Sequence, residues 1–233
     1  VVPAHVVAAI ARLKDAGLRV VPITGRPVGW SVPFASAWPV DAIVAENGAV
    51  ALRRNATVGL DKLYQQDDDT RARNFARMQE VLSQIEASVP GANRATDSMG
   101  RECDIAVDHS EFTQMPQAQI EQCVQIMKAA GMNATVSSIH INGWFGDHNK
   151  LEGARWIVRE LFGIDLDATL GQWIYIGDST NDQLMFQNVP LSVGVANIAR
   201  FVPQLQHLPR YVTEAERGDG FVQLADHILA TQK

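Results

Sequence analysis

Residues Trp173 to Phe186, WIYIGDSTNDQLMF, run an apolar segment directly into a glycine and two carboxylates four positions apart. Trp173, Ile174, Tyr175 and Ile176 suit a buried parallel strand, Gly177 permits a tight turn, and Asp178 and Asp182 stand where the strand gives way to a helix. Oxygen ligands at a strand's carboxyl end fit an α/β protein that holds a hard cation such as Mg²⁺. Taken alone, the segment is equally compatible with Asp178, Ser179 and Asn181 capping the next helix. The rest of the chain decides between these readings.

Leu18 to Arg26, LRVVPITGR, is a second apolar strand candidate, closing on Thr24, Gly25 and Arg26. Before it, Val6, Val7, Ile10 and Leu13 recur at helical spacing and Gly17 ends the helix, which makes one α/β step. Ile43, Val44 and Ala45 predict the next short strand, ending at Glu46, Asn47 and Gly48. From about Leu60 the chain turns polar, with a helix predicted from Thr70 to about Ser88. Arg101 to Ser110 alternates polar and apolar residues like a half-exposed antiparallel strand, its polar face available to a site. A second helix is expected over Gln117 to Ala130 and two more strands over Asn133 to Trp144. Lys150 then opens a helix to Phe162, Leu191 to Val195 predicts a short strand, and helices follow around Asn197 to Leu205 and from Phe221.

Charge and composition narrow the function. With 233 residues, 46% hydrophobic content and a net charge of −6, the chain offers no basic face to nucleic acid. A phosphate monoester needs only a few placed donors and a cation. Cys103 and Cys123 lack metal-ligand or CxxC spacing and are expected as buried thiols. No apolar stretch is long enough to span a membrane, and VVPAHVVAAIARL reads as an amphipathic helix, so a cytoplasmic setting is expected and the Asn55 and Asn133 NAT sequons carry no weight.

Thr24 with Gly25, Lys150, and Gly177, Asp178 and Asp182 resemble, in that order, the second, third and fourth motifs of the haloacid dehalogenase-like (HAD) phosphatases. The long interval between Thr24 and Lys150 resembles subfamily IIB, in which a large cap is inserted there. ENGAV at Glu46 to Val50, SVGVAN at Ser192 to Asn197 and GDGF at Gly218 to Phe221 are similar to flanking segments of its sugar-phosphatase branch. The resemblance implies an α/β fold, a Rossmann-like parallel-sheet HAD core with an inserted α+β cap, divided as core 1–58, cap 59–145 and core 146–233.

It also implies roles. Thr24 and Gly25 would bind phosphate oxygens, Lys150 would pair with the phosphate and the nucleophile, and Asp178 would ligate Mg²⁺. Ser179, Asn181 and Asp182 complete the metal site by orienting Asp178, Lys150 or the metal's waters. Arg26 and Asn47 are expected within reach of the substrate. Arg101, Glu102 and His140 are the cap residues expected to read it, His140 because HINGWFGDHNK resembles the approach to the third motif in mannosyl-phosphoglycerate phosphatases. KLEG stands where the family usually has KG, moving the glycine to Gly153.

The implied activity is a Mg²⁺-dependent phosphatase acting on a small phosphorylated sugar or similar metabolite through a phosphoaspartate, with Thr24, Lys150, Asp178 and Asp182 in the catalytic set. A phosphosugar mutase and a catalytically inactive sugar-phosphate-binding protein are the alternatives. The family's nucleophile lies in a DxDGT segment that this sequence does not contain. Its expected place is upstream of Val1, on a strand between those carrying Thr24 and Asp178, and the 233 residues alone are expected to be inactive. Neither a nucleic-acid nor a membrane partner is expected, and oligomeric state is not legible.

Overall fold

The computed structural model describes residues 2–57 and 59–231. Helix α1 (Ala4–Asp15) turns Ala9 and Leu13 inward onto Ala225 of α7 (Arg217–Thr231), and Gly17, at φ +82°, reverses the chain after α1. The segment Leu18–Ile23, expected as a strand, is paired on one side only. Asp41 N–H donates to Val20 O, Val44 N–H to Pro22 O and Thr24 N–H to Val44 O, and Ile23 lies parallel to Val44 as a single bridge.

Helix α2 (Val28–Ala37), unforeseen because its apolar residues show no helical stripe, packs on β1 (Ile43–Ala45) and β2 (Val50–Arg54). Strand β1 pairs antiparallel with β2, and β2 with β3 (Leu60–Tyr64). Strand β3, which follows the expected core–cap boundary at residue 58, joins this sheet; Val58 itself lies outside the described residues.

The cap follows as α3 (Asp68–Ser88), β4 (Asn93–Arg94), β5 (Ile105–Asp108), α4 (Gln117–Ala129), β6 (Asn133–Val136) and β7 (His140–Trp144). Its strands form one antiparallel sheet in the order β4-β5-β7-β6. Met78, Leu82 and Ile85 of α3 and Cys123 and Met127 of α4 cover Ile105, Val107 and Ile141 on one face. The opposite face carries Ala106 beside Asn142 and Asp108 beside His140. The half-exposed strand expected over Arg101 to Ser110 is corrected here: only 105–108 is a strand and all four residues are buried. Asp108 tolerates burial because its carboxylate accepts the N–H groups of Ser110, Glu111 and Phe112. Cys103 and Cys123 are buried free thiols.

The chain returns to the core through α5 (Lys150–Phe162), β8 (Ile174–Gly177), α6 (Gln183–Asn188), β9 (Leu191–Gly194) and β10 (Tyr211–Val212), with β8, β9 and β10 parallel and adjacent. Strand β8 is an edge. Among the described residues it does not pair with Leu18–Ile23, so the core holds two three-stranded sheets with a cleft between them. No helix among the described residues is long and apolar enough to cross a membrane.

Candidate active site

The cleft, about 280 Å³, is floored by Ile23 to Arg26 on one side and Tyr175 to Ser179 on the other, and roofed by cap residues Ser137 to His140 and Asn142. Its walls come from strand ends in the core and from the uncovered face of the cap sheet. That is where an α/β protein places ligands.

Asp182 organises the core side. Its Oδ2 accepts the N–H groups of Asp178 (2.8 Å) and Ser179 (3.0 Å), while its Oδ1 accepts from Lys150 Nζ and the Tyr175 hydroxyl, each at 2.5 Å. Gly177 makes this possible, because a Cβ there would lie 2.6 Å from the Asp182 carboxyl carbon. Burial pushes the Asp182 carboxyl up, but Lys150, Tyr175 and the Asp178 N–H outweigh it and hold it below its ordinary value. Burial and Asp182 together push the Tyr175 phenol well above its ordinary value, so it remains a donor.

Lys150 is the first residue of α5, where a cation opposes the helix dipole. Asp182, with Asn181 Oδ1 at 3.3 Å, holds it there, and the Asn149 side chain caps the helix by accepting from Leu151 and Glu152. The displaced glycine of KLEG is where α5 meets the core. A Cβ on Gly153 would lie 2.6 Å from Gly48 Cα, and Gly48, at φ +112°, is equally crowded by Asn149.

Asp178 Oδ2 accepts from Asn197 Nδ2 at 3.1 Å, and among the described residues no group hydrogen-bonds to its Oδ1. The donor set fits Mg²⁺, which takes one or two carboxylates and completes its shell with water and phosphate. Asp182 has both oxygens engaged and Asn181 Oδ1 accepts from Lys150 and Ser179, while the Ser179 hydroxyl, a donor to Asn181, keeps its oxygen lone pairs. No cluster of three or more His, Cys, Asp or Glu suited to a metal occurs among the described residues.

On the phosphate side, Thr24 Oγ1 accepts from Arg26 N–H at 3.0 Å, and Gly25 packs against Asn47. Arg26 lines the cleft and ties core to cap through Asp97 and Glu111, and Glu111 also contacts His140 Nε2 at 2.8 Å. Burial lowers the His140 pKa. Arg101 and Glu102 do not reach the cleft. The Arg101 guanidinium is buried between Asp97 and Asp104 and donates to Gly25 O, while Glu102 is held by Lys62 and Tyr64. Neither lines the cleft.

Glu46 was read only as part of a flanking segment. It is fully buried at φ +50°, and its carboxylate accepts N–H groups from Val28 in the core and Glu102, Cys103 and Asp104 at the cap's edge. Burial and Asp104 push its pKa up to about 8, against the pull of the Val28 and Cys103 N–H groups. Tyr175, Ser137, Ser138 and Asn142 are cleft residues that sequence reasoning did not single out. Nothing local to them marks a site.

No family model matches the chain. Over 66 residues, 28% of this chain, it is 36% identical to phosphoglycolate phosphatase 2 of Saccharolobus solfataricus, a match spanning 27% of that protein. Among solved structures it superimposes on a Thermoplasma acidophilum protein with a TM-score of 0.74 at 14% identity, covering 98% of this chain and 91% of the other. The sucrose-phosphatase of Synechocystis, solved with sucrose and phosphate, gives 0.68 at 15% identity over 94% and 89% of the two chains. A HAD-superfamily phosphatase from Bacteroides thetaiotaomicron gives 0.58 at 18% identity over 97% and 87%. The chain therefore has the fold of the HAD phosphatases, a parallel-sheet core with an inserted α+β cap.

Proposed function

We propose that the protein is a Mg²⁺-dependent phosphatase of a small phosphorylated sugar or similar metabolite. The observation that supports this reading is the Tyr175–Asp182–Lys150 arrangement, which holds one lysine on the wall of the cleft that Thr24 and Asp178 also line. Thr24 and the Gly25 N–H would hold phosphate oxygens, and Lys150 would neutralise charge on the transferring group. Mg²⁺ on Asp178 Oδ1 would supply further neutralisation.

Lining the cleft, the carboxylates are Asp178 and Asp182, of which one suits a cation and the other is consumed. The nucleophilic carboxylate is therefore assigned to a strand seated between Ile23 and β8, whose facing edges are unpaired among the described residues. Its oxygen would attack phosphorus as the sugar oxygen leaves with a proton from a second acid, and water would then release phosphate from the acyl phosphate. A reaction that returns the phosphoryl group to the sugar would make it a mutase instead.

The test is phosphate release from hexose phosphates with and without Mg²⁺, on protein that includes any natural residues preceding Val1. Asp178→Asn is expected to remove Mg²⁺ binding by calorimetry. Unchanged Mg²⁺ affinity, or sugar-phosphate isomerisation without phosphate release, would overturn the assignment.

A further inference from the structure

A second cavity, about 270 Å³, opens on the far side of Lys150, beside the segment Asp147–Asn149 that returns the chain from cap to core. That volume is just below the usual range for drug-sized ligands, and suits one small unit. Lys150 and Asn181 line both cavities, so a molecule whose phosphate lies against Thr24 and Lys150 can extend across them into the second.

Its walls are unusual in what they leave unpaired. Among the described residues, five buried side-chain polar atoms have no hydrogen-bond partner, and three of them are on residues that line this cavity: Asn47 Oδ1, which also lies against Gly25, Thr135 Oγ1 and His148 Nε2. Asn47 and His148 are more than nine-tenths buried. Native proteins rarely leave such groups unmatched, and a concentration of them around one cavity indicates a ligand that supplies the partners.

The chemistry of that ligand follows from the atoms. An amide oxygen only accepts, so the ligand must donate, which a fully ionised phosphate monoester or carboxylate cannot do. A hydroxyl both donates and accepts, matching Asn47 Oδ1, the Thr135 hydroxyl and a neutral imidazole alike. Burial lowers the His148 pKa to about 4, so the ring is uncharged near neutrality. Lys128 and Asp147 bring opposite charges to the walls, and the Lys150 ammonium is already paired with Asp182. Trp144, Met132 and Leu184 supply apolar surface for carbon faces.

We propose that this cavity binds the uncharged, hydroxyl-rich part of the substrate, with Thr135 and His148 reading its hydroxyl groups. The phosphate end of this placement rests on the phosphatase reading. Calorimetry with inorganic phosphate, ethyl phosphate and glucose 6-phosphate tests it. Glucose 6-phosphate is expected to bind about tenfold or more tightly than ethyl phosphate. Thr135→Val and His148→Phe should remove that preference and leave inorganic phosphate affinity unchanged. Thr135→Val preserves side-chain shape and carries the test if His148→Phe does not fold. A preference absent from the parent protein, or surviving in a folded variant, overturns the proposal. Failure of inorganic phosphate to bind counts against the phosphatase reading alone. The cavity is then judged by free glucose, which must shift the NMR signals of Thr135 and Trp144, and overturns the proposal if it does not.

Discussion

The cap and the core solve the same packing problem in different ways. The cap closes a continuous four-stranded sheet under two helices, with Ile141, Val107 and Met127 sealed from water. Among the described residues the core strands form two separate sheets, with Ile174 of β8 43% exposed and a cleft lined by charged and hydroxyl groups at the strand ends. Apolar burial stabilises the first arrangement. The second concentrates polar groups where a ligand can reach them. The difference places stability in the cap sheet and the capacity for chemistry at the strand ends of the core.

The largest expected effect lies in the cleft. Lys150→Ala should lower turnover by about a thousandfold or more, since it removes the cation aimed at transferring charge. It should also destabilise the fold by leaving Asp182 with one fewer partner. Adding Asp182→Asn is expected to recover thermal stability without recovering turnover. Recovery of both would make Lys150 a structural residue and erase the contrast between the regions.

Next comes the cap sheet. Ile141→Ala should cost about 2–5 kcal/mol in denaturant unfolding, as for a sealed core residue, whereas Ile174→Ala should cost about 0.5 kcal/mol or less. Equal costs would mean that the edge beside the cleft is packed as tightly as the cap.

A third effect is a pH dependence at the junction. His148 has its pKa lowered from 6.5 to about 4 by burial. The unfolded chain therefore binds more protons between those values, and the contribution is complete above pH about 6.5 and lost as pH falls toward 4. The amount is on the order of 3 kcal/mol. His148→Asn should flatten that portion of the unfolding-temperature profile relative to the parent. Identical profiles would show that the imidazole reaches water.

Much of this was legible in sequence. The apolar run into Gly177, Asp178 and Asp182 encodes its own strand, turn and carboxylates, and the helix that Lys150 opens was legible through Phe162. Where polar residues found partners far along the chain, local pattern misled. Arg101 and Glu102 look like free cap side chains, yet Asp104, Asp97, Lys62 and Tyr64 consume them. Alternation in 101–110 looked half-exposed because the backbone donors that bury Asp108 are set by the turn that follows.

Sequence by itself determined most of the order of elements, the α/β character of the core, and the residue types proposed to meet phosphate and a hard cation, because each depends on short-range periodicity and on chemistry carried by single side chains. Only the tertiary structure decided that Tyr175 shares Asp182 with Lys150, that Glu46 fastens core to cap, and that Thr135, His148 and Asn47 surround one cavity. These depend on contacts between residues distant in sequence, whose distances and burial are set by how the two halves of the core and the cap sheet pack together.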